Sequence, residues 1–171
     1  RAAGALVHPH AVTVFDFGRT EEGEPYLAME YCEGGALSER IALEGALPPG
    51  EVVALLAGIA AAVDAAHRLG IVHRDLKPGN ILFAGGLAKV ADFGLARMLA
   101  SDDPGLTGGH AIGSPFYMSP EQCQGRPAGR ESDIYSLGVI AYTLLTGEVP
   151  FRRGTAQEVL LAHLTEEPRP P

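Results

Sequence analysis

The chain has 171 residues, 46% of them hydrophobic and 20% charged, which is typical of one globular domain or of most of a larger one. Its net charge of −8 leaves no basic surplus to neutralise phosphates, and this excludes a general nucleic-acid-binding protein. Two cysteines cannot build a disulfide framework, and the apolar run VVALLAGIAAAV is shorter than the roughly 20 residues that span a bilayer. We therefore expect a cytoplasmic domain that makes no membrane contact of its own.

The two ends of the sequence do not resemble natural termini. The first residues, RAAGALVHPH, lack an initiator Met and resemble the last turns of a helix that runs into a loop. The last residues, EEPRPP, are typical of a proline-rich connector. We expect a chain cut from a longer protein at both ends.

The first half of the chain predicts a hairpin followed by helices. Strands are predicted over Ala11–Gly18 and Pro25–Tyr31, separated by the loop RTEEGE. CEGGA then predicts a flexible joint, LSERIALEG a short helix, and apolar residues at helical spacing a longer helix over Pro49–Leu69. Gly58 inside that helix costs about 1 kcal/mol against Ala, so we expect a packing reason for it.

The second half is predicted to be mainly helical. ILF and AKVA flank GG and predict a small hairpin, and residues 92–121 form a Gly-rich stretch without strong periodicity. Helices are predicted over residues 131–145 and 155–163. The first of these should present one apolar face, made of Ile134, Leu137, Ala141 and Leu144.

The stretch HRDLKPGN, residues 73–80, concentrates groups that suit phosphoryl transfer. Asp75 is an acid in a turn, and Asn80 and Asp92 follow it with the hard oxygen ligands that Mg²⁺ accepts. Lys77 adds a point charge that can neutralise a transferring phosphoryl group. A base, a cation and two oxygen ligands are the components that phosphoryl transfer requires.

Four motifs in order then resemble a known family. HRDLKPGN, VADFGLAR, GSPFYMSPEQ and SDIYSLGV resemble the catalytic loop, DFG motif, activation-segment end and central helix of protein kinases, most closely the bacterial Hanks-type serine/threonine kinases. The resemblance implies an α+β protein-kinase-like fold, mainly the helical large lobe. Residues 1–31 would be a remnant of the small lobe, 32–35 the hinge, and 36–171 the large lobe without its final helices.

The resemblance implies a role for each residue of the reaction centre. Asp75 would accept or orient the proton of the substrate hydroxyl, and Lys77 would contact the γ-phosphate of ATP. Ser114 resembles the hydroxyl that links these two side chains. Asn80 and Asp92 would hold Mg²⁺.

The nucleotide pocket is implied by MEYCEGG, which resembles the hinge. Met29 would be the gatekeeper, the Glu30 carbonyl and the Cys32 backbone would face the adenine edge, and Leu82 would press on the adenine face. From the residues alone, plain core packing of Met29 and Leu82 is the alternative. For Cys32 the alternative is a small buried hydrophobic residue.

Further residues are implied to support this centre. His73 and Phe93 resemble the stacked spine of the active state, with Val14 above them, and Gly94 lets the backbone turn. Asp133 would be buried and accept backbone N–H groups of the His73–Arg74 turn. Glu121 resembles an acid whose arginine partner would lie beyond Pro171.

Regulation is predicted at the activation segment. Arg74 and Arg97 would converge near it, and phosphorylation of Thr107, with Ser101 as the alternative site, would order the loop through charge-assisted hydrogen bonds. His8 and His10 have no metal-ligand spacing and are expected to be solvated loop histidines.

The resemblance implies that the parent protein transfers the γ-phosphoryl group of ATP to Ser or Thr of protein substrates, and it is compatible with a parent that dimerises. Because the glycine-rich loop and strand lysine of the family would precede Arg1, we expect the 171-residue chain to be inactive alone. A pseudokinase binding module, a small-molecule phosphotransferase of related fold and a decoy made by truncation are the alternatives.

Overall fold

A computed structural model of the chain describes residues 6–93 and 115–171. The strands are β1 (Val14–Arg19), β2 (Pro25–Met29), β3 (Ile81–Ala84) and β4 (Leu87–Val90), and the helices are α1 (Leu37–Glu44), α2 (Pro49–Arg68), α3 (Pro120–Cys123), α4 (Arg130–Thr146) and α5 (Ala156–Thr165). Two 3₁₀ turns occur at Pro78–Asn80 and Pro115–Tyr117. The α+β class is therefore confirmed, with strands early and helices late.

Two antiparallel hairpins form the β structure. In the first, β1 pairs with β2 so that Val14 lies opposite Met29, and in the second Ile81 lies opposite Val90. Residues 10–12 join the hairpins, because Val12 N–H donates to the Val90 carbonyl at 2.9 Å. β1 consequently begins three residues later than the predicted Ala11, which instead makes a single parallel bridge to Val90.

Helix α2 is the centre of the hydrophobic core. Val52, Ile59 and Val63 are buried on the predicted face, and the helix packs against α4 and β4. By length and composition alone this 20-residue helix could cross a membrane, so the expectation that its apolar run is too short was wrong. Its packing inside the domain supports a core helix instead.

Gly58 has the packing reason that its place in α2 predicts. A Cβ atom at Gly58 would lie 2.5 Å from Nδ1 of His10, whose ring lies against the helix backbone. The same His10 nitrogen is 2.7 Å from the carbonyl oxygen of Ala88 in β4. The expectation of a solvated His10 was therefore wrong, since the ring fills the contact between α2 and the second hairpin.

Helix α4 buries the predicted face only in part. Leu144 is buried and Leu137 packs against the core as predicted, but Ile134 is 62% exposed. The buried residues of α4 are polar in its first turns and mostly apolar toward its C-terminal end. They are Ser132, Asp133, Ser136, Val139, Ile140, Thr143 and Leu144. The amphipathic pattern failed here because buried hydrogen bonds, described below, occupy the inward positions.

Candidate active site

The loop HRDLKPGN is held by a buried carboxylate on α4. Asp133 is 1% exposed and accepts the backbone N–H of His73 at 2.9 Å and that of Arg74 at 2.8 Å. Its Oδ2 atom also lies 2.7 Å from Nε2 of His67 in the last turn of α2. Three donors satisfy this carboxylate, as a buried charge requires. The burial of Asp133 and its hydrogen bonds agree with the sequence expectation, and its effect on activity stays a prediction.

Within the loop, three side chains converge on one point. Lys77 Nζ donates to Asp75 Oδ2 at 2.6 Å, and Asn80 Nδ2 donates to the Asp75 carbonyl at 2.8 Å. The Asp75 side chain is 48% exposed, so its carboxylate is accessible to a reactant in solution. The loop therefore presents an acid, a cation and an amide together at the protein surface.

The backbone around this point is strained in two places. Arg74 has φ of 71° and Asp92 has φ of 62°, and both are non-glycine residues in the left-handed region. Such conformations cost of order 1–3 kcal/mol and persist only where surrounding contacts impose them. The two Asp133 hydrogen bonds beside Arg74 are such contacts.

His73 connects the loop to the segment that carries Asp92. Its Nε2 atom is 2.9 Å from the Ala91 carbonyl, and its ring meets that of Phe93 edge-on at 5.2 Å. Phe93 in turn lines a narrow pocket together with Val14 and Met29. The stacked arrangement of His73 and Phe93 agrees with the sequence expectation, and Val14 lies beside it.

Asn80 and Asp92 are brought to the same end of the second hairpin. The Asn80 carbonyl accepts the Ala91 N–H at 2.8 Å, and Asp92 is exposed. In the described part of the chain, no group of three His, Cys, Asp or Glu side chains could hold a metal ion. One carboxylate and one amide oxygen fit Mg²⁺, which keeps several waters and uses substrate phosphates as further ligands.

The residues predicted to form the hinge lie between the two hairpins. Gly34 N–H donates to the Phe83 carbonyl at 2.8 Å, and Ala36 forms a β-bridge with Leu82. Leu82 therefore lies next to the predicted hinge. Cys32 is partly buried, and burial raises the pKa of its thiol. The Cys32 thiol is therefore protonated at neutral pH, and only its backbone is suited to polar recognition.

The segment after Pro115 packs beneath the loop HRDLKPGN. Gln122 Nε2 donates to the Arg74 carbonyl at 2.6 Å, and Ser136 Oγ donates to the Tyr117 carbonyl at 2.8 Å. Although burial raises the pKa of Glu121, hydrogen bonds from Ser132 and the backbone outweigh it and the pKa lies below its ordinary value. Glu121 is only partly buried, and these hydrogen bonds stabilise its charged carboxylate.

Several predicted residues lie outside the described ranges, namely Gly94, Arg97, Ser101, Thr107 and Ser114. Sequence reasoning missed three supporting residues: His67, Gln122 and Lys89. The motif spacing contains no signal for them, because each acts on a partner at least 48 positions away along the chain.

Comparison with known proteins gives a consistent result. The sequence model of the family described as protein kinase domain matches residues 2–168. Serine/threonine-protein kinase pkn3 of Myxococcus xanthus is 42% identical over 100% of this chain and 33% of its own length. For PknB of Mycobacterium leprae the values are 39%, 99% and 28%, and for PrkC of Bacillus subtilis 42%, 98% and 26%. The chain thus spans a third or less of the length of these relatives.

Proposed function

Because this chain belongs to the protein kinase domain family, we propose that the protein containing it transfers the γ-phosphoryl group of ATP to serine or threonine hydroxyls of other proteins. The observation that carries the proposal is the Asp75 carboxylate, open to solvent beside Lys77 and Asn80. The loop bearing it is held from below by the buried Asp133. The loop thus presents a base next to a cation.

In this mechanism Asp75 accepts or orients the proton of the substrate hydroxyl as that oxygen attacks the γ-phosphorus atom, while the bond from this phosphorus to the β-phosphate oxygen breaks and ADP leaves. Lys77 is released from Asp75 toward the transferring phosphoryl group and offsets its charge. Asn80 and Asp92 would hold Mg²⁺, which supplies positive charge beside the phosphates when it is bound. Asp133 keeps the loop backbone in its strained conformation and so preserves the position of Asp75.

The acceptor is proposed to be a protein because of the surface that residues 115–123 form beside the loop HRDLKPGN. The turn Pro115–Tyr117 and helix α3 pack on α5, and Gln122 ties them to the catalytic loop at Arg74. A small-molecule phosphotransferase has no need of such a surface. The intact set Asp75, Lys77 and Asn80 likewise favours an enzyme over a pseudokinase binding module.

The test is phosphotransfer by the full-length protein with ATP, Mg²⁺ and a basic protein acceptor, with Asp75→Asn as the variant. We expect the rate to fall by ~10²–10⁴-fold while the fold survives, because a positioned base contributes that factor and Asp75 is exposed. Asp64→Asn is the matched control, since Asp64 is an exposed acid paired with Arg68 on α2.

Three outcomes count against the proposal. Full activity in a folded Asp75→Asn protein would remove the mechanism. Nucleotide binding without phosphotransfer by the wild-type protein would favour the pseudokinase alternative. Phosphate found on tyrosine, or only on a small molecule, would exclude serine/threonine protein kinase activity.

A further inference from the structure

A second ion pair lies at the hinge, away from the reaction centre. Lys89 of β4 and Glu30 form a pair with Nζ and Oε1 2.6 Å apart, and their side chains are only 14% and 24% exposed. Among the ion pairs between residues 6–93 and 115–171 that join a lysine or arginine to an acid, this one has the least exposed cation. Solvent therefore screens it less than the others.

Glu30 is held from a second side by the residue before β1. Its backbone N–H donates to the Thr13 carbonyl at 2.8 Å, and its Oε2 atom accepts the Thr13 N–H at 3.2 Å. The Lys89 ammonium, through its hydrogen bond, and then the Thr13 N–H lower the pKa of Glu30, so the carboxylate is ionised at neutral pH. Glu30 is thus held at both its backbone amide and its side-chain carboxylate, an arrangement that we call the clamp.

The clamp joins three parts of the proposed nucleotide site. Thr13 precedes β1, Glu30 and Cys32 belong to the hinge, and Lys89 lies three residues before the metal-ligand candidate Asp92. The hinge recognises a base through backbone atoms, whose position depends on how the segment is held. In the described part of the chain, Lys89 of β4 is the only charged side chain that pairs with the Glu30 carboxylate.

We propose that Lys89 is a positioning residue for nucleotide binding, which acts by anchoring Glu30 so that the hinge backbone is presented to the purine. The inference rests on the proposed kinase function. It predicts that losing the pair weakens nucleotide binding while leaving the chemical step intact, because the loop carrying Asp75 is held separately by Asp133.

The experiment measures the dissociation constant of a fluorescent ATP analogue, displaced by ATP, together with KM for ATP and kcat, on the full-length protein. For Lys89→Met we expect about tenfold weaker binding, or about 1.4 kcal/mol, and an equal rise in KM. The value of kcat at saturating ATP should change less than twofold. Lys89→Arg should restore wild-type binding, because a guanidinium can also pair with the carboxylate.

A double-mutant cycle separates the clamp from general damage. In a Glu30→Gln background Lys89→Met should weaken nucleotide binding little further, since the two changes remove the same interaction. Arg153→Met is the matched control, because Arg153 pairs with Glu166 near α5 and should leave nucleotide affinity unchanged. If Lys89→Met does not fold, the Glu30→Gln protein, which keeps the shape of the side chain, takes its place.

The outcomes are distinguishable. Wild-type affinity in folded Lys89→Met, additive effects in the cycle, or equal weakening in Arg153→Met would each overturn the inference while the kinase function stood. A wild-type protein that bound no ATP would instead overturn the proposed function.

Discussion

Replacing Gly58 by alanine should destabilise this protein, although alanine is the better helix former. Helix propensity alone favours the change by about 1 kcal/mol. The new Cβ, however, would lie 2.5 Å from His10 Nδ1, so the ring must move. The ring cannot move freely because the same nitrogen is 2.7 Å from the Ala88 carbonyl.

The magnitude follows from these opposing terms. Overpacking a filled contact costs about 1–3 kcal/mol. Loss of the hydrogen bond between His10 and Ala88 costs about 0.5–1.5 kcal/mol. After the propensity gain is subtracted, we expect Gly58→Ala to lower the free energy of unfolding by about 0.5–3.5 kcal/mol. This should be visible in the midpoint of urea unfolding.

The decisive measurement repeats the substitution in a His10→Ala background. With the ring gone, only the propensity remains, so Gly58→Ala should now stabilise the protein by about 0.5–1 kcal/mol. A change of sign between the two backgrounds is the expected result. Gly50→Ala near the start of α2, where a Cβ would contact nothing within 4 Å, is the matched control. If Gly58→Ala stabilised the protein in both backgrounds, the contact with His10 would not explain the glycine.

Two further predictions concern buried groups of the domain. Asp133→Asn should lower the free energy of unfolding by about 3–5 kcal/mol, because one amide oxygen cannot accept from three donors. It should also reduce kcat at a temperature where the variant is folded. Wild-type values of both quantities, measured beside the exposed control Asp64→Asn, would contradict the anchoring role. Burial lowers the pKa of His163, and the Pro115 and Phe116 carbonyls only partly offset this effect. The pKa of His163 in the folded protein therefore lies below its value in the unfolded chain. The contribution of His163 to stability is consequently lost as the pH falls below about 6.5. His163→Phe should flatten the decline of the urea midpoint between about pH 7 and 5, and parallel curves for the two proteins would rule out this histidine as a source.

The catalytic loop and most of the elements could be predicted from the sequence, because they depend on neighbours in the chain. The apolar spacing of α2 and the turn glycines Gly85 and Gly86, both with positive φ, act within a few residues of themselves. HRDLKPGN likewise places Asp75, Lys77 and Asn80 within eight positions. The contacts among these three side chains are local in the same sense.

The same reasoning failed where a distant segment decided the outcome. The amphipathic pattern of α4 predicted a buried Ile134, but that residue is exposed while Asp133 beside it is buried. A periodicity of apolar residues cannot show that a polar face is needed to satisfy backbone N–H groups about 60 positions earlier. Only packing α4 against the loop shows why the polar side faces inward.

The sequence by itself thus determined the family, the order of the elements and the residues proposed to meet the substrate, because motifs and periodicity are local properties. The tertiary structure alone decided how those residues are held: Asp133 and His67 beneath the loop, His10 against Gly58, and Lys89 behind the hinge at Glu30. Each of these pairs is separated by 48 to 66 positions in the chain, and its strength comes from burial. Burial exists only once the helices and hairpins have packed, so no pattern in the chain reveals it in advance.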